Sequence, residues 1–143
     1  MPHCDHLLLD GYNLIHAVPE WKQYLSSDQE RSRELLAAWV RSIHDMDAVR
    51  TTLVFDGKGA DLSIERPFKE HTFSYVFSPS GVTADTVIEQ LAGKAGNPDA
   101  VVVTTNDRVL QHTVLASGAQ VMSLSELESW VQSCEQRMKR HLS

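Results

Sequence analysis

Cysteine is scarce in this chain: Cys4 and Cys134 are the only two in 143 residues. Two thiols so far apart do not make a disulfide scaffold, and they read as the reduced residues of a cytoplasmic protein. Long apolar runs are also missing. None approaches the roughly 20 residues that cross a bilayer. The opening Met1-Pro2-His3-Cys4-Asp5-His6 has neither the basic start nor the apolar length of a secretory leader. Positive charge is in short supply, with 13 Lys+Arg against 19 Asp+Glu and a net charge of −6. Such a chain does not hold long nucleic acid by electrostatics alone. Meeting nucleic acid through a metal, or on a larger scaffold, stays open. No repeat, low-complexity tract or linker divides the sequence. What is there is 42% hydrophobic, enough for one folded unit with a real core, read as residues 1–143.

The stretch Leu7-Leu8-Leu9-Asp10-Gly11-Tyr12-Asn13 organises the rest. A short apolar run bounded by turn residues reads as a strand covered on both faces. The carboxyl end of such a strand is where open α/β sheets place ligands, so Asp10 stands at a candidate rim. After the Asp10–Asn13 turn, Pro19 suits the first turn of a short helix through Leu25. Ser27 and Glu30 fit a capping box ahead of a helix with Leu36, Trp39, Val40 and Ile43 on one stripe. Its charged residues Arg31, Arg33, Glu34 and Arg41 read as a solvated face.

A second strand spans Ala48 to Asp56, and Gly57 to Glu70 reads as a long loop. His71 to Phe77 alternates like a strand near a sheet edge. Thr83 caps a helix from Ala84 to about Ala95, with Val87, Ile88, Leu91 and Ala95 inward. Ala100 to Thr105 is a Val-rich central strand. Asn106 or Asp107 opens the next helix, which Gly118 ends. Ala119 to Met122 is a last strand. Ser125 and Glu128 read as a second capping box, before a closing helix striped by Leu127, Trp130, Val131, Cys134 and Met138. Alternating strands and helices in this order predict a three-layer α/β sandwich around a mostly parallel sheet.

Asp10, Asp56 and Asp107 each follow a strand, and Asp85 opens a helix with Glu89 one turn on. If the strands are neighbours, these carboxylates converge. Carboxylates gathered without a partner repel and hold protons. A hard divalent cation removes the conflict, and all-oxygen ligation suits Mg²⁺ or Mn²⁺ better than Zn²⁺. Such an ion supports hydrolytic phosphoryl transfer. Each residue also has a plainer reading: Asp10 as a turn-former, Asp107 as a helix cap, Asp85 and Glu89 as solvated acids, Asp56 as a turn or an outer carboxylate. Asn13 is read as a phosphate-positioning amide, a support for Asp10 or an ordinary Asx turn. Thr105 and Asn106 are read as phosphate contacts or ordinary small polar residues. Tyr12 stacks on a base or packs. Lys58, Arg66, Lys69 and His71 are contacts to RNA or a solvated loop. His3, Cys4 and His6 lack a second half-site and read as a flexible tail.

The ordered set Asp10-Gly11-Tyr12-Asn13, Val54-Phe55-Asp56, Thr83-Ala84-Asp85 with Ile88 and Glu89, and Asp107 with Gln111 resembles the YacP-like branch of NYN-domain proteins, within the PIN-like nuclease superfamily. Gly118-Ala119 and Ser125-Glu126-Leu127 agree, and the likeness runs from about Leu7 to Val131. One departure is Asn106, where the family commonly has a small polar residue. The resemblance implies a PIN-like fold and metal-dependent endoribonuclease activity on single-stranded RNA. It implies Asp10, Asp85 and Asp107 as the metal-holding, catalytic set, with Asn13 and Glu89 alongside. The negative charge adds the expectation that a larger assembly such as the ribosome presents the substrate. Two alternatives stand beside it. One is a non-catalytic RNA-binding module. The other is a phosphohydrolase with an Asp nucleophile, which would usually want a second Asp where Tyr12 stands.

Overall fold

The computed structural model describes residues 3–142. Six strands form one sheet: β1 (His6–Asp10), β2 (Arg50–Phe55), β3 (Ser63–Glu65), β4 (Phe73–Phe77), β5 (Val101–Thr104) and β6 (Gln120–Met122). Their spatial order is β3-β4-β2-β1-β5-β6. All neighbours run parallel except β3, which pairs antiparallel with β4. The helices are α1 (Gly11–His16), α2 (Pro19–Lys22), α3 (Gln29–Asp47), α4 (Ala84–Gly93), α5 (Arg108–Ala116) and α6 (Leu124–Leu142), with one 3₁₀ turn at Pro98–Ala100.

Alternation along each strand feeds two separate cores. Leu7, Leu9, Leu53, Phe55, Phe73 and Tyr75 face α1, α3 and α6. Leu8, Val54, Val76, Val101 and Val103 face α4 and α5. The sheet is therefore the middle of three layers, as the alternating pattern predicts. Leu7, Leu8 and Leu9 are wholly buried, each contributing about 1.5–3 kcal/mol of burial.

Several local expectations change. The Asp10–Asn13 segment is not a free turn: α1 starts directly after Asp10. The long loop holds the short strand β3, which takes the sheet edge and moves β4 inward. Three residues are too few for a period to show. Asp28, not Ser27, caps α3, accepting from the Arg31 N–H. Ser123 and Glu126, not Ser125 and Glu128, form the reciprocal box before α6, at 3.1 Å each way. In both cases the true cap lies within two residues of the expected Ser. Ala48 ends α3 in the left-handed region at φ 54°, so β2 begins only at Arg50. In α4, Ala92 is buried where Leu91 is exposed.

The supposed solvated face of α3 is partly engaged. Arg33 donates to the Tyr12 hydroxyl at 3.0 Å. Arg41 pairs with Asp45 and Glu70 and lies 4.0 Å from the centre of the Phe68 ring. The flexible-tail reading of His3, Cys4 and His6 changes: His3 lies 3.7 Å from the Asp5 carboxylate. His6 belongs to β1 and bonds the Thr52 hydroxyl at 2.8 Å, and Cys4 packs against the core.

Gly11 shows why the turn into α1 is tight. A Cβ there would overlap the Phe55 ring, which itself packs at a tilt against Tyr12 and stacks on Phe77. Gly11→Ala should therefore destabilise the protein by about 1–3 kcal/mol through overpacking. Chemical denaturation of the two proteins measures it; an unchanged midpoint would show that Phe55 moves aside without cost.

Candidate active site

β1 lies between β2 and β5, and the register sets Leu9 level with Leu53 on one side and Thr104 on the other. The carboxyl ends of the three strands therefore meet. Asp10, Asp56, Asp85 and Asp107 all line one cavity of about 340 Å³ there, together with Tyr12, Asn13 and His16.

Each carboxylate is held differently. Asp10 is 5% exposed, and its Oδ2 accepts from the Thr105 hydroxyl at 2.7 Å. Asp107 caps α5: its Oδ1 accepts from the N–H groups of Val109 and Leu110, so its second oxygen is left for the cavity. Asp56 Oδ1 accepts from the Ala84 N–H at 2.8 Å and ties the end of β2 to the start of α4. Asp85, one residue further along α4, also lines the cavity. The cap reading and the cavity reading of Asp107 thus describe two oxygens of one group.

The electrostatics follow from that crowding. Burial is the largest cause that pushes the Asp10 carboxyl up to about 6, and the charges of Asp85, Asp107 and Asp56 add to it, against the Thr105 hydrogen bond. Asp85 is also raised, first by burial and then by Asp107, with Asp56 and Glu89 behind. Glu89 bears on the cavity through its charge and is not among the residues that line it.

The polar residues after β5 form a brace. Asn13 Oδ1 accepts from the Asn106 backbone N–H at 2.8 Å. The Thr105 hydroxyl also accepts from the Asp107 N–H, and Gln111 donates to the Thr105 carbonyl at 2.7 Å. Thr105 is wholly buried. Its hydroxyl therefore aims Asp10 and does not meet a phosphate at an open surface. Tyr12 packs on Phe55 with ring centres 4.8 Å apart, its hydroxyl engaged by Arg33. Asn106 is exposed. Of the loop cations, Arg66 and His71 line a separate concavity with His6 and Leu91.

His16 is the site residue that sequence reading missed. It lies three residues after Asn13 and four after Tyr12, so all three share one face once α1 is known to be helical. Elsewhere, His44, Asp45 and Glu70 are the one group of three described residues whose possible ligand atoms all lie within 4.8 Å of one another. Arg41 already balances that group, and the His44 ring is bonded to Asp45 and Thr72. The cavity aspartates are more widely set.

The Asp10 shift carries a sign. With a folded value near 6 and an ordinary value near 3.9, the folded chain binds this proton more tightly. Asp10 therefore lowers stability as pH rises from about 4 to about 6, by about 3 kcal/mol in total. In metal-free protein, Asp10→Asn should remove that loss, so the gap in Tm between variant and parent widens from pH 4 to pH 7. A constant gap would contradict it. Thr105→Val should raise the Asp10 pKa further, read by carboxyl NMR titration, because the hydrogen bond that favours the charged form is gone.

The chain as a whole is similar to known proteins. A family model described as YacP-like NYN domain matches residues 7–143. The YacP protein of Bacillus subtilis (strain 168) is 31% identical over 142 residues, covering 96% of this chain and 81% of that protein. The crystal structure of Rae1 (YacP) from Bacillus subtilis superposes with a TM-score of 0.78 at 31% identity, over 96% of this chain and 79% of that one. A point-mutant crystal form of Rae1 gives 0.77 at 30% identity, over 95% and 80%. The chain belongs to the YacP-like NYN domain family.

Proposed function

We propose that the protein is a divalent-metal-dependent endoribonuclease that hydrolyses phosphodiester bonds in single-stranded RNA. The observation that carries this reading is the meeting of Asp10, Asp56, Asp85 and Asp107 in one cavity, at the carboxyl ends of parallel strands. Family membership supports it, because NYN domains resemble the PIN-like nucleases.

The donor set fits Mg²⁺ or Mn²⁺: it is all oxygen, crowded enough to raise two carboxyl pKa values, and open. Mg²⁺ usually keeps several waters and takes one or two carboxylates plus substrate phosphate, so an open set suits it. Asp10, Asp85 and Asp107 would hold the ion, and Glu89 would contribute charge from outside. When bound, such an ion lowers the pKa of a coordinated water and neutralises charge on the phosphate.

The remaining residues position these groups. Thr105 orients Asp10. Asn13 pins the start of α5 and with it Asp107. Asp56 pins the start of α4 and with it Asp85. Tyr12, Asn13 and His16 line the wall that an RNA strand would meet. An Asp-nucleophile phosphohydrolase is disfavoured, since the residue two beyond Asp10 is Tyr12, with its hydroxyl committed to Arg33. The net charge of −6 supports presentation of the RNA by a larger assembly, such as the ribosome, over unaided capture.

End-labelled single-stranded RNA should be cut in Mg²⁺ or Mn²⁺ and left intact in EDTA. Asp10→Asn and Asp85→Asn should each lower the rate by about 100-fold or more. Binding without metal-stimulated cleavage would instead mark a binding module. Efficient cutting of naked RNA at physiological salt would remove the need for a presenting assembly.

A further inference from the structure

On the α4 side of the sheet, between that helix and the β3 edge, lies a concavity of about 140 Å³. Arg50, Arg66 and His71 stand in its lining, and all three are exposed. No Asp or Glu joins them there. Among the described residues, neither arginine has a carboxylate within ion-pair distance. His6 lies between them and the sheet. Burial first, and then the Arg50 charge, hold its imidazole down at about 4, so it stays neutral and bonds the Thr52 hydroxyl. Two unpaired guanidiniums around one concavity repel each other, and an anion between them turns that repulsion into attraction. In a chain of net charge −6, such a patch is a local exception.

The concavity neighbours the acidic cavity. Alternation puts His6, Leu8 and Asp10 on one side of β1. His6 lines the basic concavity and Asp10 the acidic one, about 13 Å apart along the strand. Val54, in the acidic cavity, is in register with Val76, in the basic one. Ala84 and Val87, about one turn apart on α4, are divided in the same way. The four carboxylates of the acidic cavity repel a phosphate, and a cationic patch beside them supplies attraction that the net charge does not. The remaining lining suits nucleic acid as well. Guanidinium planes and His rings are surfaces on which unstacked bases lie, and the exposed side chains of Leu62 and Ile64 add an apolar wall.

We propose that this concavity is a second contact site for the RNA strand whose scissile phosphate enters the acidic cavity. Arg50 and Arg66 hold phosphates of that strand, and His71 lies against an unstacked base. The proposal rests on the nuclease reading of the acidic cavity. Phosphate contacts carry no sequence information, so the site fixes the path of the strand and not its base preference. It directs the strand from the cavity along α4, toward the amino end of β1. An acidic protein segment would satisfy the same charges, but the position beside the aspartates favours RNA.

The test separates binding from cleavage. Metal-free protein is titrated with a fluorescent single-stranded RNA of mixed sequence over a series of low salt concentrations. The double variant Arg50→Gln with Arg66→Gln should bind roughly tenfold more weakly, with the slope of log K against log salt reduced by about 1.4, or roughly 0.7 per lost phosphate contact. Both side chains are exposed and unpaired, so its Tm should match the parent's. A control pair, Arg31→Gln with Lys139→Gln, removes the same charge from α3 and α6 and should leave affinity and slope nearly unchanged. Three results overturn the site: no RNA binding by the parent, equal affinity and slope in parent and double variant, or an equal loss in the control pair. A polyglutamate peptide that binds the parent as tightly as the RNA also overturns it, and gives the concavity to an acidic protein segment. Failure of the nuclease reading has another signature: RNA binding still depends on both arginines, but no cleavage depends on Asp10.

Discussion

The register of three parallel strands carries the whole arrangement. β1 is hydrogen-bonded on both sides, to β2 and to β5, with Leu9 level with Leu53 and Thr104. The strands therefore finish together, and whatever follows each of them arrives at the same end of the sheet. That places Asp10, Asp56 and the Thr105–Asp107 turn around one cavity. A slip of one residue in β1 would turn its buried leucines to the wrong faces. The two cores, one on each side of the sheet, thus fix the position of Asp10 to within one residue.

The same packing that fixes Asp10 also penalises its charge. Its carboxyl is buried, surrounded by three like charges and eased by one hydroxyl. Such a group is poorly suited to a purely structural role and well suited to a cation. Around it, Asp56 and Asp107 each keep one oxygen engaged by backbone N–H groups, at the start of α4 and of α5. Anchoring by helix N-termini sets their positions without a cation present. The site is therefore organised by the fold, while its charge balance is left to what enters it.

A layer of aromatic rings lies beside this cavity. Tyr12, Phe55, Tyr75 and Phe77 pack tilted, edge to face or stacked, with Arg33 lying over two of them. Gly11 has no side chain because Phe55 fills that space. Arg33 reads in the sequence as one more charge on a helix surface. It acquires another role because its helix, α3, packs against the face where these rings lie, which no local pattern of α3 shows.

Short-range signals in the amino-acid sequence determined the alternation of strands and helices, the three layers, and the acidic residues that end the strands. Apolar runs, β-branched stretches and capping residues act over a few neighbours, so they are readable without the fold. They also sufficed for the resemblance that family membership bears out. Tertiary structure alone decided the rest. Thr105 became a buried support for Asp10, Glu89 was left out of the cavity lining, and His16 came into it. β3 became a strand by pairing with Tyr75, Val76 and Phe77, and Tyr75 was left buried with its hydroxyl unpaired. These outcomes depend on which distant side chains meet, and a hydrogen bond spanning 95 residues of chain, such as that from Thr105 to Asp10, has no counterpart in local spacing.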